Sequence, residues 1–132
     1  TDWIEAETFD EASEHIVSDH ARGATIRGLR QRGFGVTGSY VGYARVDFGD
    51  GVSKLHVRIG GEPAGNGDFD VTVGVHIGKP DGRRIGVVKF RKDDGSRHTV
   101  DVESATGVQD VYVVNETTKK WHFIRFDKFR FE

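Results

Sequence analysis

From Tyr40 onward the chain alternates apolar and polar residues with a period of two. Leu55, Val57 and Ile59 are separated by His56 and Arg58, and Val71, Val73, Val75 and Ile77 repeat the pattern after a polar break. Successive side chains of a strand point to opposite faces, so these runs predict strands with one buried face. The same reading predicts strands over 40–48, 54–59, 70–77, 84–90, 98–102, 109–114 and 123–131. Gly49-Asp50-Gly51, Lys79-Pro80-Asp81-Gly82 and Lys92-Asp93-Asp94-Gly95-Ser96 supply turns between them, and the glycine-rich 60–67 reads as a loop. The last strand would place Phe123, Phe129 and Phe131 on one face, with Arg125 and Asp127 interrupting it. Residues 8–20 carry no clear period and are read as irregular. Phe48, Phe90, Tyr112, Phe123, Phe129 and Phe131 are core by position, while Trp3 and Tyr43 fit the core or a sheet surface. Short strands separated by turns, with no helical period, predict an all-β sandwich of antiparallel strands.

Composition narrows this only in part. A chain of 132 residues suits one domain over 1–132. Its 19 basic and 21 acidic residues nearly cancel, so no global field gathers nucleic acid or an anionic membrane, and neither is expected as a partner. Cysteine is absent, which removes disulfides and thiolate metal sites. No run approaches the roughly 18 apolar residues of a membrane-spanning helix. The chain opens directly on a strand-like segment, Trp3-Ile4-Glu5-Ala6-Glu7, and is expected to be an excised domain or a mature fragment. His15, His20, His56, His76, His98 and His122 lack metal-ligand spacing, and no nucleophile elbow, zinc-protease motif or phosphate loop is present. These absences argue against catalysis.

Four segments then end the anonymity. They are Ile4-Glu5-Ala6-Glu7-Thr8-Phe9, the run Gly38 to Gly49 ending in Val46-Asp47-Phe48-Gly49, the turn Pro80-Asp81-Gly82 leading into Ile85-Gly86, and Gly107 to Val114 followed by Phe126 to Phe131. In that order and spacing the chain resembles the family 6 carbohydrate-binding modules and their relatives in families 35 and 36. The resemblance implies a jelly-roll sandwich whose first and last strands are neighbours, a structural calcium ion and a sugar site among the loops at one end. It also implies a secreted, monomeric, non-catalytic accessory domain that binds a polysaccharide or oligosaccharide beside a linked catalytic domain of a glycan-degrading enzyme.

For calcium, the resemblance points to Glu5, Glu7 and Asp127, with further ligands between Arg27 and Gly33. Calcium takes six to eight hard oxygen donors, which carboxylates and carbonyls supply. For the sugar, three family positions have changed. Phe34 is the aromatic nearest the first tyrosine position, Ser96 or a neighbour stands at the tryptophan position, and Arg125 replaces an asparagine. Arg97, Lys119 and Lys120 add cations to the same loops, and Trp121 adds an aromatic. Guanidinium grips carboxylate and sulfate in a fork, so the expected ligand is an anionic or marine-type glycan. Two other readings stay open: a structural sandwich that has lost sugar binding, and a small jelly-roll lyase or hydrolase.

Overall fold

The computed structural model of the protein describes residues 2–13, 17–19, 25–27, 40–63, 70–91, 94–117 and 122–132. Its strands are β1 (Ile4–Glu5), β2 (Glu11–Ala12), β3 (Val17–Asp19), β4 (Thr25–Arg27), β5 (Tyr40–Asp47), β6 (Lys54–Pro63), β7 (Asp70–Ile77), β8 (Arg83–Arg91), β9 (Arg97–Asp101), β10 (Val108–Asn115) and β11 (His122–Phe131). A short 3₁₀ turn, Ala6–Thr8, follows β1. Sheet A runs β3-β4-β11-β6-β9, with β1 also paired to β11, and sheet B runs β2-β5-β10-β7-β8. Every pairing is antiparallel. The expected all-β sandwich is therefore the fold.

Alternation built the layers. Leu55, Val57 and Ile59 of sheet A meet Val71, Val73, Val75 and Val113 of sheet B, and Phe126, Phe129 and Phe131 fill the space between. Tyr43 lies edge-on to Phe129, with ring centroids 4.9 Å apart, and its hydroxyl donates to the Ala6 carbonyl at 2.7 Å. Fully burying one such aromatic or branched side chain is worth about 1.5–3 kcal/mol.

The first and last strands are neighbours, as expected: Ile4 stands opposite Phe129 and Glu5 opposite Lys128. Other expectations need correction. Gly60-Gly61-Glu62-Pro63 is not a loop but the end of β6, paired from Arg125 back to His122 of β11. A ladder asks only for backbone donors and acceptors, which glycine keeps, so composition concealed the pairing. Residues 11–12 and 17–19 likewise pair, with β5 and β4, in strands too short to display a period. In β11 the register shifts between Phe126 and Lys128, which resets the alternation. Phe126 consequently joins Phe129 and Phe131 in the core, against the simple odd-numbered reading.

Tyr112 is buried, but on the outer face of sheet B and outside the central core cluster. Trp3 is 40% exposed.

Candidate functional site

The register gathers one set of strand ends. Tyr40 pairs with Val114, Asp70 with Arg91, Pro63 with His122, and Arg125 with both Arg27 and Gly60. The segments 28–39, 64–69, 92–93 and 118–121 connect strands that end here. Phe34, Lys119, Lys120 and Trp121 fall in those segments and lie outside the described residues.

Two expected positions can be placed, and the fold brings them together. Arg125 sits half-buried on the outer face of sheet A, directly across from Gly60. A β-carbon at Gly60 would stand 3.6 Å from the Cβ of Ser96, so Ser96 covers the gap that Gly60 leaves beside Arg125. The Ser96 carbonyl accepts from Ile59 N at 2.9 Å, which anchors this turn to β6. Arg97 follows, exposed, and pairs across the ladder with Arg58. His98 is committed elsewhere: its Nε2 lies 3.0 Å from the Ile59 carbonyl, and its ring stacks on Phe90 at 5.0 Å. Ser96 and Arg97 thus set a small residue and a guanidinium on the strand edge beyond Gly60.

A second constellation covers sheet B, and sequence reasoning missed it. Register aligns Glu11, Gly42, Tyr112, His76 and Arg84 in one row across all five strands. Two glycines make the row possible. A β-carbon on Gly42 would come within 2.6 Å of the Tyr112 ring, and one on Gly74 within 2.0 Å of a Glu116 carboxylate oxygen. Tyr112 and Glu116 therefore lie down against bare backbone.

Glu11 accepts from the Tyr112 hydroxyl at 2.9 Å and from the Tyr40 hydroxyl at 3.2 Å, and the two rings meet edge to face at 5.7 Å. Hydrogen bonding to the Glu11 carboxylate, then burial, pushes the Tyr112 phenol up to about 12. Burial, then the Glu11 charge, raises Tyr40 as well. At the other end Glu116 accepts from Arg84 at 2.8 Å and lies 2.7 Å from His76 Nε2, while His76 Nδ1 lies 2.9 Å from the Gly82 carbonyl. Aromatic rings beside fixed donors and acceptors suit a ligand with apolar faces and a rim of hydroxyls. The one trace of this in the sequence was glycine inside two strong strand runs, a mark of close approach to the backbone.

The family model for "Carbohydrate binding module (family 6)" matches residues 5–132. The chain belongs to the family 6 carbohydrate-binding modules. Such modules are non-catalytic, which sets aside the reading of a lyase or hydrolase. No protein of curated function matches it.

Solved structures agree on the module's fold. A family 6 module from Clostridium cellulolyticum in complex with xylose is 23% identical, with 99% of this chain and 96% of that one covered at a TM-score of 0.78. A family 36 module in complex with calcium and xylotriose is 20% identical, with both chains fully covered at 0.76. In a glycoside hydrolase family 43 arabinoxylan arabinofuranohydrolase from Bacillus subtilis, crystallised with cellotetraose, the match covers 98% of this chain but 26% of that one, at 19% identity and 0.73.

The carboxylates expected at a metal end up unequally placed in this module. Glu5 is exposed on β1, and Asp127 occupies the irregular step of β11. Glu7, in the 3₁₀ turn, has a buried Oε2 with no hydrogen-bond partner among the described residues. Burial, then the charges of Glu7 and Asp10, raises the neighbouring Tyr43 phenol. Among the described residues, no three acidic or imidazole groups converge on one point. Of the further stretch implied by the resemblance, Arg27 to Gly33, residues 28–33 lie outside the described residues.

Proposed function

We propose that this module holds a linked glycan-degrading enzyme, outside the cell, on a polysaccharide bearing carboxylate or sulfate groups. One observation supports the anionic reading: Arg125, where the family resemblance expects an asparagine, and Ser96, at or next to the position where it expects a tryptophan, are neighbours across Gly60, with Arg97 next in the chain. Removing a stacking ring weakens the grip on a neutral sugar face, and guanidinium in its place rewards an anionic group. A linked enzyme gains because tethering raises its effective concentration at the polymer. The arabinofuranohydrolase, in which the matching fold takes up 26% of a longer chain, supports that linkage.

Calorimetry with a neutral and an anionic oligosaccharide of one backbone, at low and high salt, tests the reading. The anionic sugar should bind more tightly, and Arg125→Ala should cost about tenfold to a hundredfold, as expected for one charge-assisted hydrogen-bonding group. Tight, salt-independent binding of the neutral sugar, indifferent to Arg125→Ala, would discard it. The row on sheet B favours a second reading, a neutral-glycan platform on Tyr40, Tyr112, Glu11 and Glu116. Tyr112→Ala separates the two, because it should abolish neutral binding and spare anionic binding.

Structural calcium is part of the same proposal. The buried Glu7 oxygen, unpartnered among the described residues, fits a cation, with Glu5, Asp127 and donors between Arg27 and Gly33 as the further ligands. An ion bound only by the native state stabilises it by about 2.7 kcal/mol at a hundredfold excess over its dissociation constant. Chelation should therefore lower Tm and readdition restore it. An unchanged melting curve would remove the ion from the proposal.

A further inference from the structure

The outer face of sheet A carries an arrangement that packing does not explain. Arg97 of β9, Arg58 of β6 and Lys128 of β11 stand directly opposite one another on three adjacent strands. Strands lie about 4.8 Å apart, so the row spans roughly 10 Å. Like charges directly opposite one another destabilise a sheet. None of the three forms an ion pair among the described residues, although Glu5 of β1 stands opposite Lys128.

The next row toward the far end differs. There His56 is held by Glu132 at 2.7 Å, and Lys54 beyond it is paired with Asp101. Charge on this sheet is thus neutralised at the far end and left unneutralised next to Arg125. Beside the unpaired row lies Trp3, one of two large apolar side chains exposed among the described residues. Lys128 Nζ sits 5.0 Å from its ring centroid and Arg130 Cζ 5.5 Å. An exposed indole with cations over its ring matches a sugar ring that carries an anionic substituent.

We propose that an anionic polysaccharide runs off the loop end across the outer face of sheet A, where Arg97, Arg58 and Lys128 grip successive carboxylate or sulfate groups and Trp3 receives a sugar ring. This inference rests on the anionic reading of the loop end and extends it from one sugar to a chain. A glycan is favoured over nucleic acid because the chain as a whole is slightly acidic, with a formal charge of −2, and has no global field to gather a polyanionic strand.

The test compares chain lengths. A disaccharide and a longer oligosaccharide of one anionic repeat are titrated into the wild type, Arg125→Ala and the double variant Arg58→Gln/Lys128→Gln, first with a sulfated galactan series and then with a polyuronate series. The wild type should bind the longer chain at least about tenfold more tightly in one series or both, which also identifies the anionic group. The double variant should bind both lengths alike, with disaccharide affinity kept. Its Tm should not fall, since neutral glutamines relieve the like-charge row, so a lost length gain cannot be ascribed to unfolding. A length gain that survives in the double variant overturns the inference and leaves the loop-end reading intact. Disaccharide binding indifferent to Arg125→Ala overturns the loop-end reading itself, and this extension with it. A single-stranded oligonucleotide that binds more tightly than either glycan, and is released by the double variant, also overturns it.

Discussion

The two outer faces of this sandwich have the same architecture and opposite electrostatic designs. On sheet B every charge in the central row has a partner: Glu11 takes two tyrosine hydroxyls, and Glu116 takes Arg84 and His76. On sheet A the row Arg97, Arg58 and Lys128 makes no ion pair among the described residues, and Lys128 meets only the face of Trp3 and a strand neighbour, Glu5, at no ion-pair distance. The first face is a finished network in which each group fixes the next, so removing one member leaves a part-buried partner unsatisfied. The second holds its cations apart, and removing one relieves repulsion. Sheet B resembles a preorganised polar platform, and sheet A resembles a surface whose counter-charges arrive from outside.

The sharpest way to break this contrast is at Glu116. Its carboxylate is shared by His76 and Arg84, with 13% of the His76 side chain exposed, so Glu116→Ala should cost about 1–3 kcal/mol in denaturant unfolding. A smaller loss would mean that sheet B is no more tightly knit than sheet A.

Gly42→Ala should cost about as much, roughly 1–3 kcal/mol, by overpacking. The added carbon meets the Tyr112 ring at 2.6 Å, and that ring is already wedged against Tyr40. Near-ultraviolet circular dichroism should show the two tyrosines displaced.

Tyr112→Phe removes one hydroxyl bond and should cost less, about 0.5–1.5 kcal/mol. Titration sharpens the same point. The folded Tyr112 phenol is held up at about 12 against an ordinary 10.0, so its contribution is fully present below pH 10 and is lost as pH rises toward 12. Phenolate absorbance should show that late ionisation, and Glu11→Gln should bring it earlier.

The smallest effect is expected on sheet A. Arg58→Ala should leave stability within about 0.5 kcal/mol of the wild type, or raise it, because it breaks a like-charge row. A clear loss would show that the row is structural after all, and would weaken the case for an external anion.

Much of the framework was legible beforehand. The alternation of Leu55, Val57 and Ile59 with polar neighbours placed β6 in a sandwich before any coordinate was known, and the opening and closing motifs anticipated that β1 and β11 would pair. Arg97 and Arg125 were legible as candidates because they depart from a family pattern. The sheet B platform was not legible, since Glu11 lies in a two-residue strand and Glu116 follows β10, each far in sequence from the residues it binds.

The chain's period of two determined which residues face the core, because a strand allows its side chains only two directions. Its net charge and lack of cysteine determined that neither a global field nor disulfides shape its behaviour. The identity of neighbours across the sheets was decided only in three dimensions. A one-residue shift in β11 puts Phe126 inside and lines Lys128 up with Arg58, and two bare glycines let Tyr112 and Glu116 lie flat on sheet B. Register is a relation between distant segments, set by bulges and by the packing of two sheets against each other, and no local pattern encodes it.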